Sequence, residues 1–380
     1  MKLYKRVLAC AAFLCLLAIS LIEINKILVP KYTVKNSDWP TTSTYNQFYR
    51  MDRDCVDVLF FGSSIAANAF VPQEIYNDYG ITSYNLASEQ QSVFLSYYWL
   101  KEALRYQKPK LVVLELEFMN YYHPEFAINT KESLTRKCID PMRWSLNKVK
   151  AVHRICRYDK EQSELSYYLT NIRFHSRWNE VGAEDFDVEA INNAPFKGYA
   201  PIVDMGPASY DAFVPNDGGL NLDAGEAGQE VEFRDFPPVM REFLDKITDL
   251  CESEGIELML VNLPGATMDD AIYNTHMAYA KEHDLYYVNL CLPEHVAGIG
   301  ARLPEENFVY HENVWGAQKT SRYLGELICQ HYGVADSKAP SGKESEAEGL
   351  MIPRVDQQYE ETRDEYQGLL DNFEPGESNG

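Results

Sequence analysis

The chain reads as an α/β protein: a three-layer arrangement of about five parallel strands covered on both faces by helices, with a helical insertion after the third strand. Two observations lead there. Short runs that are apolar almost throughout recur between stretches of helical periodicity, the pattern of strands buried on both faces of a parallel sheet. That alternation holds on either side of residues 121–235 and is lost within them. Composition agrees, since 46% hydrophobic and 24% charged residues in 380 belong to a globular chain.

The elements follow in order. Lys2, Lys5 and Arg6 precede a largely apolar stretch from Val7 to Ile22, the pattern of a signal peptide or signal anchor. No small-x-small cleavage site follows Ser20, and Ile24, Ile27, Leu28 and Val29 extend the apolar length. Residues 1–29 are therefore read as an uncleaved membrane anchor, with the rest of the chain extracytoplasmic. Residues 30–54 read as an irregular lead-in to a domain spanning 30–334. Val56–Phe61 is a buried strand ending in Gly62-Ser63-Ser64. Pro72–Tyr79 is a short helix with proline in its first turn. Ser83–Ala87 is a strand, Ser92–Tyr106 a helix and Lys110–Glu117 a third strand.

Within the insertion, Trp144–Tyr158 and Gln162–Trp178 have helical character. Alternation resumes with a helix at Pro238–Glu254, a strand at Ile256–Leu263, a helix at Asp269–His283, a strand at Leu285–Leu290 and a last helix at Trp315–Gln330. From residue 336 onward the chain holds 12 acidic and 4 basic residues. Segment 335–380 reads as an acidic, mostly disordered tail, dispensable for folding, with one solvated helix around Val355–Leu370.

The net charge of −22 argues against a nucleic-acid partner. Of eight cysteines, two lie in the anchor and none forms a C-x-x-C pair, against zinc or thioredoxin-type chemistry. Cys138–Cys156 and Cys251–Cys291 disulfides stay open. There is no P-loop, dinucleotide fingerprint or metal-ligand cluster, so no cofactor or metal is expected.

Two pieces carry chemistry. Ser64 lies in a turn directly after the first strand, at the carboxyl edge of the sheet, where an exposed hydroxyl sits beside backbone N–H groups. An acyl-transfer nucleophile needs that environment. Far downstream, His311 lies in the loop entering the last helix, from which it can reach the sheet edge and accept the Ser64 proton. His123, beside Tyr121 and Tyr122, reads as packing, and Arg173–Trp178 as a salt-bridged face.

Together these blocks resemble the SGNH/GDSL hydrolase superfamily. The likeness is to its membrane-anchored branch, which includes the D-alanyl transfer protein of teichoic-acid biosynthesis and bacterial exopolysaccharide acetylation proteins. The resemblance runs from Val56 to Ile328. Asp57-Val-Leu-Phe-Phe-Gly-Ser-Ser64 is similar to the nucleophile block, and Tyr84-Asn-Leu-Ala87 with Gln90-Gln-Ser92 to the second block. Lys108–Glu115 is similar to the third strand, His311-x-Asn313-x-x-Gly316-Ala317 to the histidine block, and Phe196-Lys-Gly-Tyr199 to a weaker element. The resemblance implies a flavodoxin-like SGNH fold, Ser64 as nucleophile and His311 as base. It also implies an oxyanion hole from the Ser64 and Ala87 N–H groups, to which Asn120, the only asparagine close after the third strand, is the one candidate side chain.

Two departures stand out. Phe308 occupies the position where the family carries an aspartate, leaving Glu305, Glu306, Asn307 or Glu312 to orient the imidazole. The Gly-x-Asn-Asp block is absent. The function implied is an extracytoplasmic serine esterase or O-acyltransferase acting on an acylated cell-surface glycan, with a membrane-bound O-acyltransferase as partner. The alternative is a non-catalytic glycan-binding or scaffold protein for that acyltransferase.

Overall fold

The structure is a computed structural model, and it describes residues 2–120, 128, 131–203, 232–264, 268–302, 306–308, 311–334 and 355–371. His123 and Glu305 lie outside them, as do the side chains of Asn120, Asn307 and Phe308.

The chain opens with α1 (Lys2–Leu28), whose Tyr4–Leu28 stretch is long and apolar enough to cross a membrane; from Tyr4 to Glu23 it is exposed, and at its end Leu28 is buried. The lead-in then departs from expectation, because it contains α2 (Thr41–Phe48) with Tyr45 and Phe48 fully buried. Its sequence, TTSTYNQF, lacks an apolar stripe. Burial is paid through specific bonds, such as Ser43 Oγ to the Ala190 carbonyl at 2.6 Å, and through the Tyr45 ring stacked 3.9 Å from Trp99.

Next come β1 (Val58–Phe61), α3 (Ser64–Ala69), α4 (Pro72–Tyr79), β2 (Ser83–Asn85), α5 (Val93–Ala103) and β3 (Leu111–Glu115). α4 starts on Pro72 and stops at Gly80, whose φ of 66° supplies the left-handed cap. The insertion contributes α6 (Glu132–Ile139), α7 (Leu146–Tyr158), α8 (Glu164–Tyr168), α9 (Asn171–Phe174) and α10 (Val188–Asn192). The single helix expected over Gln162–Trp178 is thus two short helices followed by a 3₁₀ turn at His175–Asn179. Arg173 and Arg177 there are structural, pairing with Glu132 at 2.9 Å and Asp185 at 3.1 Å.

The second half runs α11 (Pro238–Glu254), β4 (Glu257–Asn262), α12 (Asp270–Glu282), β5 (Tyr286–Asn289), α13 (Pro293–Ile299), β6 (Asn307–Phe308), β7 (His311–Glu312), α14 (Val314–Tyr332) and α15 (Val355–Asp371). The five main strands form one parallel sheet in the order β2-β1-β3-β4-β5.

Strand alternation sorts the core into two layers. Leu59, Phe61, Val112, Leu114, Leu258 and Leu260 face α2, α5 and α11, while Val58, Phe60, Val113, Met259 and Val261 face α3, α4 and α14. The predicted α/β class and the insertion after β3 are therefore present. All eight cysteines are free, so neither disulfide forms.

The tail departs from expectation most. α15 is not solvated: Tyr359 and Tyr366 are buried, and Tyr359 stacks on Tyr76 at 4.1 Å. The Tyr359 hydroxyl donates to the Ser83 carbonyl at 2.7 Å and accepts from the Ser83 N–H at 3.0 Å. It thereby satisfies both backbone groups of Ser83 on the edge strand β2, where unpaired groups would be costly to bury.

Candidate active site

In this strand order the chain reverses direction of growth between β1 and β3, and α/β sheets form their binding crevice at the carboxyl end of such a switch point. β1 delivers Gly62-Ser63-Ser64 there. Ser63 is the N-cap of α3, its Oγ accepting from the Ile65 N–H at 3.2 Å, so Ser64 is the first helical residue and its half-buried hydroxyl faces outward.

The turn is shaped by a residue the sequence did not single out. Glu115, the last residue of β3, accepts from both the N–H and the hydroxyl of Ser63 at 2.9 Å, and also from the Glu117 N–H. Burial pushes its carboxyl upward and these three bonds oppose the rise. Gly62 makes room for it: at φ 154°, an added Cβ would stand 2.6 Å from the Glu115 Cβ and 2.8 Å from Ala66. An acidic residue ending an otherwise apolar strand was the available signal. A carboxylate is retained in a fully buried strand only when several donors face it.

His311 arrives on β7. Its backbone pairs with Phe308 in the β6–β7 ribbon, and its Nε2 lies 2.8 Å from Ser64 Oγ. Burial lowers the imidazole from 6.5 to about 4. At neutral pH the ring is therefore uncharged, and the bond is satisfied with Nε2 accepting the serine proton. Trp39, in the lead-in just after the anchor, sets its ring 5.8 Å from His311 and donates Nε1 to Asn68 Oδ1 at 3.3 Å.

The spacing of the histidine block has a local cause. Asn313 caps α14, its Oδ1 accepting from the N–H groups of Trp315 and Gly316 at 3.2 and 3.3 Å. A Cβ at Gly316 would meet the Glu306 carbonyl at 2.4 Å, so glycine lets β6–β7 lie against the helix.

Other expectations are not met. The Ala87 N–H, expected in the oxyanion hole, is engaged by Asn85 Oδ1 at 3.0 Å. Asn85 also donates Nδ2 to the carbonyls of Ala66 and Phe70, clamping α3 to the end of β2. Sequence alone places Asn85 in the second strand, and only the fold reveals its side chain as an anchor for α3. Glu306 is turned toward cations, with Arg302 Nε at 3.1 Å and Lys319 Nζ at 2.6 Å. Glu312 alternates away from His311 on the strand, its carboxyl accepting from Thr320 at 2.6 Å and pushed up to about 8 by burial. Among the described residues no carboxylate bonds the far nitrogen of His311.

The Phe196–Tyr199 element is structural. The Lys197 carbonyl accepts from the Asn85 N–H at 2.9 Å, and a Cβ at Gly198 would collide with the Asn85 carbonyl. This element runs beside the β2 end.

No family model matches the chain, and no curated protein does. Among solved structures the chain is similar to a presumed acylhydrolase of Bacteroides fragilis NCTC 9343. The match has 10% identity and a TM-score of 0.32, and covers 75% of this chain and 94% of the other. A likeness that slight leaves fold and chemistry to be read from this chain's own topology and side chains.

Proposed function

We propose that the protein is a membrane-tethered serine esterase or O-acyltransferase acting on acyl groups of a cell-surface glycan. The observation that carries this reading is the 2.8 Å approach of His311 Nε2 to Ser64 Oγ at the switch point of the sheet. In the reaction, His311 Nε2 takes the Ser64 proton as Oγ bonds to the acyl carbon. The carbonyl oxygen gains the negative charge and is held by the Ser64 N–H at the start of α3. Collapse breaks the bond to the leaving alkoxide, which takes the proton back from His311. The acyl-serine is then resolved by water, giving hydrolysis, or by a sugar hydroxyl, giving transfer.

The tether limits where this happens. Trp39, which touches His311, is eleven residues beyond Leu28, so the site lies at most about 40 Å from the end of the anchor. Such a site suits a membrane-bound O-acyltransferase as partner and an acyl acceptor presented near the surface. The net charge of −22 favours neutral glycans over polyanionic ones.

A second reading, a non-catalytic scaffold for the acyltransferase, is favoured by one observation: Phe308 stands where the family that the chain resembles carries the aspartate of its histidine block. Fluorophosphonate labelling separates the two. The enzyme reading expects Ser64 to label, and labelling to be lost in Ser64→Ala and strongly slowed in His311→Ala. A folded wild-type chain that does not label leaves the scaffold.

A further inference from the structure

The end of the anchor helix is not a free tether. The carbonyl of Asn25 accepts from Thr170 Oγ1 at 3.2 Å and its Oδ1 from the Asn171 N–H at 2.9 Å. The Leu28 carbonyl accepts from Arg177 Nη1 at 2.9 Å. Leu28 itself is buried. The partners are the N-cap and first residue of α9 and the 3₁₀ turn after it, so the insertion is clamped to the last turn of α1.

That clamp fixes a height. The largely apolar run ends at Ile22, before the first charge at Glu23, and with a rise of about 1.5 Å per residue Asn25 and Leu28 stand roughly 5 and 9 Å beyond it. The headgroup layer on each side of a bilayer is about 5–8 Å deep. The clamped segment therefore sits at the membrane–water boundary if α1 spans.

The same segment exposes large apolar side chains to solvent, interspersed with polar and charged ones such as Arg173, Glu180 and Glu184. Trp178 is 57% exposed and Val188 68%, and Leu165, Leu169, Ile172 and Phe186 are also exposed. Six large apolar side chains within 24 residues exceed the scattered exposure of a soluble surface, and tryptophan is the residue that prefers the interfacial layer.

We infer that residues 165–188 form a lipid-facing collar that beds into the headgroup–acyl boundary around the emerging anchor. The occupant is the bilayer, because the surface is continuous with the helix that enters it. The inference rests on the reading of α1 as a membrane span. It makes the insertion a device that holds the Ser64–His311 site at a set height and orientation above the lipid.

The test uses the full chain in phosphatidylcholine vesicles carrying doxyl quenchers at carbon 5 or carbon 12. Insertion of about 5–10 Å makes the shallow quencher about twofold more effective than the deep one on tryptophan emission. W178F, which should melt as wild type does, should remove most of that shallow component, and Leu165→Trp in the W178F chain should restore it. Vesicle flotation reports the anchor separately. A chain that floats yet shows the same shallow quenching with and without Trp178, and no gain from Leu165→Trp, overturns the collar and leaves the patch to a protein partner. A chain that does not float overturns the span and the collar together.

Discussion

Gly62→Ala tests how the candidate nucleophile is positioned. The new Cβ would stand 2.6 Å from the Glu115 Cβ and 2.8 Å from both Ala66 Cβ and Glu115 Oε2. None of these is a flexible side-chain end: one Cβ ends β3, another belongs to α3, and the carboxylate is held by Ser63. Restoring ordinary contact at 3.4 Å requires the β1–α3 turn to retreat about 0.8 Å from β3. Ser64 is two residues along and moves with the turn, so its 2.8 Å bond to His311 Nε2 opens by a comparable amount. Overpacking of this kind costs about 1–3 kcal/mol of stability. A misplacement near 1 Å at reacting atoms costs on the order of 100-fold in rate. Urea unfolding and hydrolysis of a small acetyl ester read the two effects. Gly80→Ala is the control, because a Cβ there meets nothing within 4 Å and only the φ of 66° is strained. It should cost about 1 kcal/mol and leave the rate unchanged. Gly62→Ala with wild-type stability and rate would refute the idea that Glu115 packing aims Ser64.

With His311 lowered to about 4, kcat/KM for such an ester should hold between pH 7 and pH 5 and fall only as pH approaches 4; an inflection near 6.5 would contradict the buried, uncharged imidazole. Removing α15 or replacing Tyr359 by Ala should destabilise the fold, the single substitution by about 3 kcal/mol, read by urea unfolding. Burial lowers Lys197 from 10.5 to about 7, so between those values the unfolded chain binds more protons and stability rises with pH. Lys197→Met should flatten that slope and stabilise most at pH 7 and below, measured as melting temperature against pH.

What the sequence determined by itself was local. Pro72 and Gly80 bound a helix that forms just where they place it, because φ preferences and the missing proline N–H act within a turn. The uniformly apolar runs became the strands of a sheet covered on both faces, since burial of both faces needs no knowledge of the neighbours. Gly-Ser-Ser after β1 and His-x-Asn before α14 were visible for the same reason, a helix cap being written within three residues. Tertiary structure decided whatever depends on a distant partner. Glu115 shapes the Ser64 turn across 52 positions, Asn85 withdraws the Ala87 N–H from the expected oxyanion hole, and Glu306 faces Lys319 rather than His311. α2 and α15, too polar in sequence to announce burial, dock because hydroxyls and rings find exact counterparts on Ala190, Trp99, Ser83 and Tyr76. Hydrogen bonds and ring contacts of that kind are directional and short-ranged, and no residue's composition or spacing records which partner the fold will bring within reach.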